Sequence, residues 1–195
     1  MKKVLLLLTK GFETYEASVF IDVMGWNLID GDHSTKLYSC GATKEVISSF
    51  DQKVVVDCLI KDIQVNEFDA LAIPGGFEEY GFWEEVYGDE TQDLIREFNR
   101  QGKLIASICV AAIALGKSGI LKNKNATTYN LKPIRQETLK SFGVNVQNKP
   151  VVQDGNILTC WNPSTAMDVA FLLLELLTSR QNANNIRKMM GFEEK

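Results

Sequence analysis

The sequence predicts an α/β domain with a mostly parallel sheet and helices on both of its faces. Nearly unbroken apolar runs at residues 4–8, 69–73 and 103–108 read as strands buried on both sides. Segments with helical apolar spacing stand between and after them, and the alternation of the two kinds marks βαβ units. At 195 residues the chain has the length of one domain, expected to run over residues 1–195. A chain of that length buries roughly 70% of its unfolded surface and folds without staples.

Taken in order, residues 4–8 form the first strand, bounded by Gly11. Residues 13–29 set Ala17, Phe20, Ile21, Met24 and Leu28 at helical spacing, and Asp30-Gly31 is a helix stop. Residues 36–40 read as a second strand. Val46-Ile47 and residues 54–56, parted by Ser48-Ser49-Phe50-Asp51, read as a small hairpin. The strand at 69–73 is stopped by Pro74-Gly75-Gly76. A charged helix over 90–101 puts Leu94, Ile95 and Phe98 on one side. The strand at 103–108 turns directly into a short apolar helix over 110–117. A short strand at 126–128 precedes a helix over 133–142. Residues 151–159 read as a hairpin with Asp154-Gly155 at its turn. A strongly apolar helix over 165–178 and an amphipathic one over 184–190 close the pattern.

Composition narrows the function. The net charge is −4 and the basic residues form no run. That argues against nucleic acid and against an anionic membrane surface as partners. The apolar run after Met1-Lys2-Lys3 is cut off by Lys10, too soon for a secretory signal or a membrane span. Cys40, Cys58, Cys109 and Cys160 are widely spaced and form no CxxC pair. They read as reduced thiols, which points to the cytoplasm. No close pair of Cys or His suggests a metal site. Lys10-Gly11 and Pro74-Gly75-Gly76 fit neither a P-loop nor a GxGxxG fingerprint, so no cofactor is expected.

In open parallel sheets, ligands sit outside the carboxyl ends of the strands. Three segments end strands there: 9–16, 74–77 and Cys109-Val110. A strand–turn–helix elbow at Cys109 would hold its side chain at the top of the sheet. The helix N-terminus there would favour thiolate over thiol. A small buried apolar cysteine satisfies the same pattern. Pro74-Gly75-Gly76 offers backbone N–H groups to a developing oxyanion, or is simply a strand-ending turn. Glu13 and Glu16 open the first helix, where acidic residues complement its dipole. A glutamate buried in the crevice would instead have a raised pKa and could donate a hydrogen bond to a thiolate. The pattern alone does not say which of the two takes that role; with Glu16 in it, Glu13, three positions earlier, would face solvent. Phe77, Tyr80, Phe82 and Trp83 line a pocket or cap a core.

These pieces, in this order, resemble the ThiJ/PfpI superfamily, and most of all its branch typified by the parkinsonism-associated deglycase. The marks are Lys10-Gly11-Phe12-Glu13-Thr14-Tyr15-Glu16, Ile21-Asp22-Val23, Ile73-Pro74-Gly75-Gly76 and Ile105-Ala106-Ser107-Ile108-Cys109. To these add Asp154-Gly155-Asn156-Ile157-Leu158-Thr159 with Pro163 and Thr165. The resemblance implies a flavodoxin-like, Rossmann-like sandwich of the class I glutamine-amidotransferase type. It implies Cys109 as nucleophile, Glu16 as the protonated acid beside it, and the backbone of Gly75, Gly76 and Val110 as oxyanion site. It also implies a homodimer, with the first helix and the 46–56 hairpin as the contact region.

Its activities include reaction with glyoxals or glycated groups, peptidase labels, and oxidant sensing through the cysteine. This chain departs from the pattern. Peptidase-like members carry His after the nucleophile, where Val110 stands here. The deglycase branch carries His where Tyr129 stands. The usual Gly-Pro after the elbow is Ala111-Ala112, and an Arg-Gly-Pro turn is Trp161-Asn162-Pro163. The chain's single histidine, His33, falls in a loop at the opposite end of the sheet. Loss of a positioned general acid costs about 10² to 10⁴ in rate. The reading that leads is a Cys109 enzyme acting on small aldehydes or their adducts, with Tyr129 as a candidate for proton transfer. A non-enzymatic redox sensor through Cys109 is the alternative. A cysteine peptidase or amidase comes third, weakened by the missing imidazoles.

Overall fold

The computed structural model describes residues 1–192, so the end of the expected 1–195 domain lies outside the described residues. In chain order the main strands are β1 (Lys2–Leu7), β2 (Thr35–Gly41), β3 (Glu45–Ile47), β4 (Lys53–Val55), β5 (Cys58–Leu59) and β6 (Ala70–Ile73). They continue as β7 (Leu104–Ser107), β8 (Asn125–Ala126), β9 (Asn145–Val146), β10 (Val151–Asp154) and β11 (Ile157–Cys160). Seven of them form one sheet in the order β10-β11-β7-β6-β1-β2-β5. Every pairing in it is parallel except the β10–β11 hairpin, whose turn uses Gly155 at φ +60°. β3 and β4 form a separate antiparallel hairpin.

β1 is apolar throughout because both its faces are covered. Val4 and Leu6 pack into one core, Leu5 and Leu7 into the other. The first core is closed by α1 (Thr14–Asp30), α6 (Ala166–Leu177) and α7 (Arg180–Met189). The second is closed by α2 (Phe82–Val86), α3 (Asp89–Arg100), α4 (Ala111–Ser118) and α5 (Pro133–Ser141). Phe20, Val23 and Met24 of α1 are fully buried; each such side chain stabilises the fold by about 1.5–3 kcal/mol.

The chain lays β2 and β5 on one side of β1, then crosses to the other side for β6, β7 and β11. The connections therefore diverge between the carboxyl ends of β1 and β6. Doubly wound sheets form their ligand crevice at such a switch point.

Some elements differ from the sequence expectation. α7 starts at Arg180 rather than near 184, because the Ser179 side chain caps it by accepting the Asn182 N–H at 3.1 Å. The strand expected at 126–128 stops at Ala126. The Thr127 N–H donates to Thr159 Oγ1 at 2.9 Å, which turns the chain off the ladder. α2 was not anticipated: the aromatic segment divides its duties, Phe82 being fully buried while Phe77 stays exposed. The two-residue strands β5 and β9 are too short to leave a periodicity. Among the described residues, no helix is long and apolar enough to cross a membrane.

Candidate active site

Cys109 lies between the end of β7 and the start of α4, with φ at +58°. A non-glycine residue in that conformation costs on the order of 1–3 kcal/mol and persists only where its surroundings hold it. Here the Cys109 N–H donates to the Cys160 carbonyl at 3.2 Å, and the Ala111 N–H to that of Ile108 at 3.1 Å. The Thr128 hydroxyl donates to the Cys109 carbonyl at 2.8 Å. The elbow is thus tied to its neighbours on both sides, and the cysteine side chain opens into a cavity of about 180 Å³. Glu16, Gly76, Val110, Tyr129 and Pro163 line that cavity with it.

Glu16 sits in the first turn of α1 and is 1% exposed. Its Oε2 accepts the Gly75 N–H at 2.7 Å, while Oε1 is buried with no hydrogen-bond partner. Burial, reinforced by the charge of Glu13, raises its pKa to about 8 against the pull of Gly75 and the Cys109 thiol. Burial also pushes the Cys109 thiol well above its usual value, and a charged Glu16 would push it further, while the Val110 N–H pulls it down. The elbow alone predicts a lowered thiol; desolvation outweighs it. The two groups titrate as a pair. While Glu16 keeps its proton, its charge no longer opposes the thiolate.

Two expectations need correction. Gly75 does not offer its N–H to an oxyanion, because that N–H is engaged by Glu16. Gly76 and Val110 line the cavity. No larger residue fits at Gly76, where a Cβ would come within 2.3 Å of the Gly11 carbonyl oxygen. Nor does Glu13 simply face solvent. It is half-buried, lines the cavity, and caps α1 by accepting the N–H groups of Tyr15 and Glu16 at 3.3 and 2.9 Å. A helix N-cap beside a crevice lip serves both ends at once, which the dipole argument did not resolve.

No imidazole reaches the site. His33 is exposed in the α1–β2 loop, with Nδ1 2.8 Å from the Leu28 carbonyl oxygen. The structure adds Lys132 and Arg135 to the cavity wall. Arg135 pairs with Glu78 at 3.1 Å and lies over the Trp83 ring at 5.1 Å. Pro133 marked the helix start that carries these cations, but nothing in the sequence aimed it at Cys109. Among the described residues, no group of three or more His, Cys, Asp or Glu is placed to hold a metal.

A model of the DJ-1/PfpI family matches residues 2–176. The chain belongs to that family. Among DJ-1/PfpI relatives, it is 30% identical over 194 residues to Protein DJ-1alpha of Drosophila melanogaster, covering 97% of this chain and 83% of that one. It is 32% identical over 190 residues to Protein DJ-1 homolog B of Arabidopsis thaliana. That match takes in 93% of this chain but only 40% of the longer plant protein. The crystal structure of Drosophila melanogaster DJ-1beta superposes with a TM-score of 0.86 at 26% identity, covering 99% of both chains. The mostly parallel, two-faced sheet is therefore the flavodoxin-like DJ-1/PfpI fold.

Proposed function

We propose that this DJ-1/PfpI chain is a reactive-cysteine enzyme in which Cys109 acts on small aldehydes or their adducts. The observation that carries the reading is the left-handed Cys109 elbow opening on a small cavity with a buried, raised-pKa carboxyl as its neighbour. The thiolate attacks the carbonyl carbon, the C=O electron pair moves to oxygen, and Glu16 delivers the proton that completes a hemithioacetal. The backbone N–H groups of Gly76 and Val110, both on the cavity wall, take the developing oxygen in this reading, and Tyr129 is the cavity group assigned to later proton transfer. The substrate is a small electrophile, and the cytoplasmic setting expected from the free thiols belongs to the same proposal. A peptidase role is disfavoured because no imidazole is at hand to protonate a leaving amine.

The test is turnover of a small 2-oxoaldehyde, followed as loss of the aldehyde and appearance of the hydroxy acid. Cys109→Ser should fall to background, and Glu16→Leu should lose about 10²-fold or more. A Cys109→Ser protein that keeps the wild-type rate would remove the assignment. Unstructured casein should be cleaved no faster by the wild type than by Cys109→Ser, and Cys109-dependent cleavage would restore the peptidase reading.

A further inference from the structure

We propose that Cys160 is the resolving thiol for Cys109, so that oxidation of Cys109 by a hydroperoxide ends in a Cys109–Cys160 disulfide. The inference rests on the Cys109 reactivity proposed above and adds a second sulfur to it. Cys160 is the last residue of β11, the strand beside β7, and its carbonyl holds the Cys109 N–H at 3.2 Å. Neighbouring strands run about 4.8 Å apart, and disulfides bridge Cα atoms about 4.4–6.8 Å apart. The β11–β7 register runs on to set Cys160 opposite Ile108, so Cys109 stands one residue beyond its partner position, joined to it by the N–H to carbonyl hydrogen bond.

The sulfur of Cys160 is itself against residue 109. The Thr165 hydroxyl and the N–H groups of Cys109 and Asn162 act on it as donors that lower its pKa, and a charge on Cys160 would in turn raise that of Cys109. Cys109 packs against the same core cluster that contains Cys160. The two differ in access: Cys160 is fully buried, whereas Cys109 opens on the cavity. An oxidant from solvent therefore reaches Cys109 first. Cys40 and Cys58 also face each other, across β2 and β5, but neither lines the cavity.

The chemistry balances with the hydroperoxide as oxidant. The Cys109 thiolate attacks the terminal peroxide oxygen, an S–O bond forms, the O–O bond breaks, and the alkoxide leaves and takes up a proton. The product is a Cys109 sulfenic acid. Cys160 then attacks that sulfur, an S–S bond forms, the S–O bond breaks, and the departing hydroxide takes the Cys160 proton to leave as water. The protein gives up two electrons, the peroxide becomes alcohol and water, and a dithiol reductant returns both thiols. Burial raises the Cys160 thiol to about 12, opposed by the donors around its sulfur. It is thus inert to outside electrophiles while adjacent to the one sulfur it needs to meet. Resolution keeps Cys109 off the irreversible sulfinic and sulfonic rungs.

The experiment treats the reduced, full-length protein with hydrogen peroxide, quenches in acid, alkylates under denaturing conditions and maps peptides without reductant. The wild type should yield a cross-linked peptide pair joining Cys109 and Cys160, lost on dithiol treatment. Cys160→Ser and Cys160→Ala should lose the cross-link and shift that material to sulfinic Cys109. Wild-type protein that accumulates sulfinic Cys109 while Cys160 still alkylates as a free thiol would overturn the proposal. So would a Cys40–Cys58 cross-link formed in its place. A parallel alkylation of the reduced native protein separates the two readings: unreactive Cys109 sinks the functional reading, whereas reactive Cys109 without cross-link sinks only this one.

Discussion

Glu16 shows how one buried proton couples the site to the stability of the chain. Its pKa stands at about 8 in the folded protein against an ordinary 4.5. Below the ordinary value both folded and unfolded chains hold the proton. Between the two values the folded chain binds more, so stability falls as pH rises through that window. Above the folded value the whole cost is present, on the order of 5 kcal/mol. Glu16→Gln has nothing to ionise, so its urea midpoint should exceed the wild type's by a margin that widens from about pH 5 to about pH 8. A pH-independent margin would mean that Glu16 ionises freely. Glu13→Gln should lower the Glu16 pKa, since the Glu13 charge helps raise it. At this scale the sequence pointed to Cys109 through a local pattern, a strand running straight into a helix, and to Glu16 only through the family resemblance, since Glu13 opens the same helix. It did not reveal that Gly75 spends its N–H on Glu16, for those residues stand 59 positions apart. Nor did it show Cys160 beside Cys109, which depends on β11 lying next to β7.

The elbow is the element on which the site depends, and Thr128 is its external strap. The Thr128 hydroxyl is buried and holds the Cys109 carbonyl at 2.8 Å. Thr128→Val preserves the shape but leaves that carbonyl without its donor, which should cost about 1–3 kcal/mol. Because the residue it frees is the left-handed one, alkylation of Cys109 should change along with the denaturation midpoint. A variant matching the wild type in both measurements would show that the elbow stands without the strap. The elements themselves were legible wherever burial imposes a period: the two-faced strands came directly from apolar runs, and the stripe of α1 did so in part, with Ala17, Phe20 and Met24 buried but Ile21 left exposed. Boundaries were less so, because they are set by single hydrogen bonds such as those of Ser179 and Thr127.

Over the whole molecule, the large apolar side chains left exposed include Tyr15 and Ile21 on α1 and Ile47, Phe50 and Val55 on the β3–β4 hairpin. Thr14 and Ser48 tie these two elements together at 3.1 Å. We expect this surface to pair two copies of the chain. Sedimentation at micromolar concentration should give a dimer, and Ile21→Glu should shift it toward monomer; a wild-type monomer at that concentration would sink the expectation. Phe50 also packs on Phe77 at 5.5 Å, and Phe77 lies on the cavity wall, so such a pairing would lie beside the cavity. The strand order carries a consequence in time. Glu16, Gly75, Cys109 and Cys160 meet only after Val4 has paired with Ala70, Ala70 with Leu104, and Leu158 with Ala106. Each of those pairings must close a long stretch of chain before it is rewarded, which places them late in folding. A ribosome-bound or refolding chain therefore carries Cys109 as an ordinary thiol, and the reactivity proposed for it can begin only when the last of these strands docks.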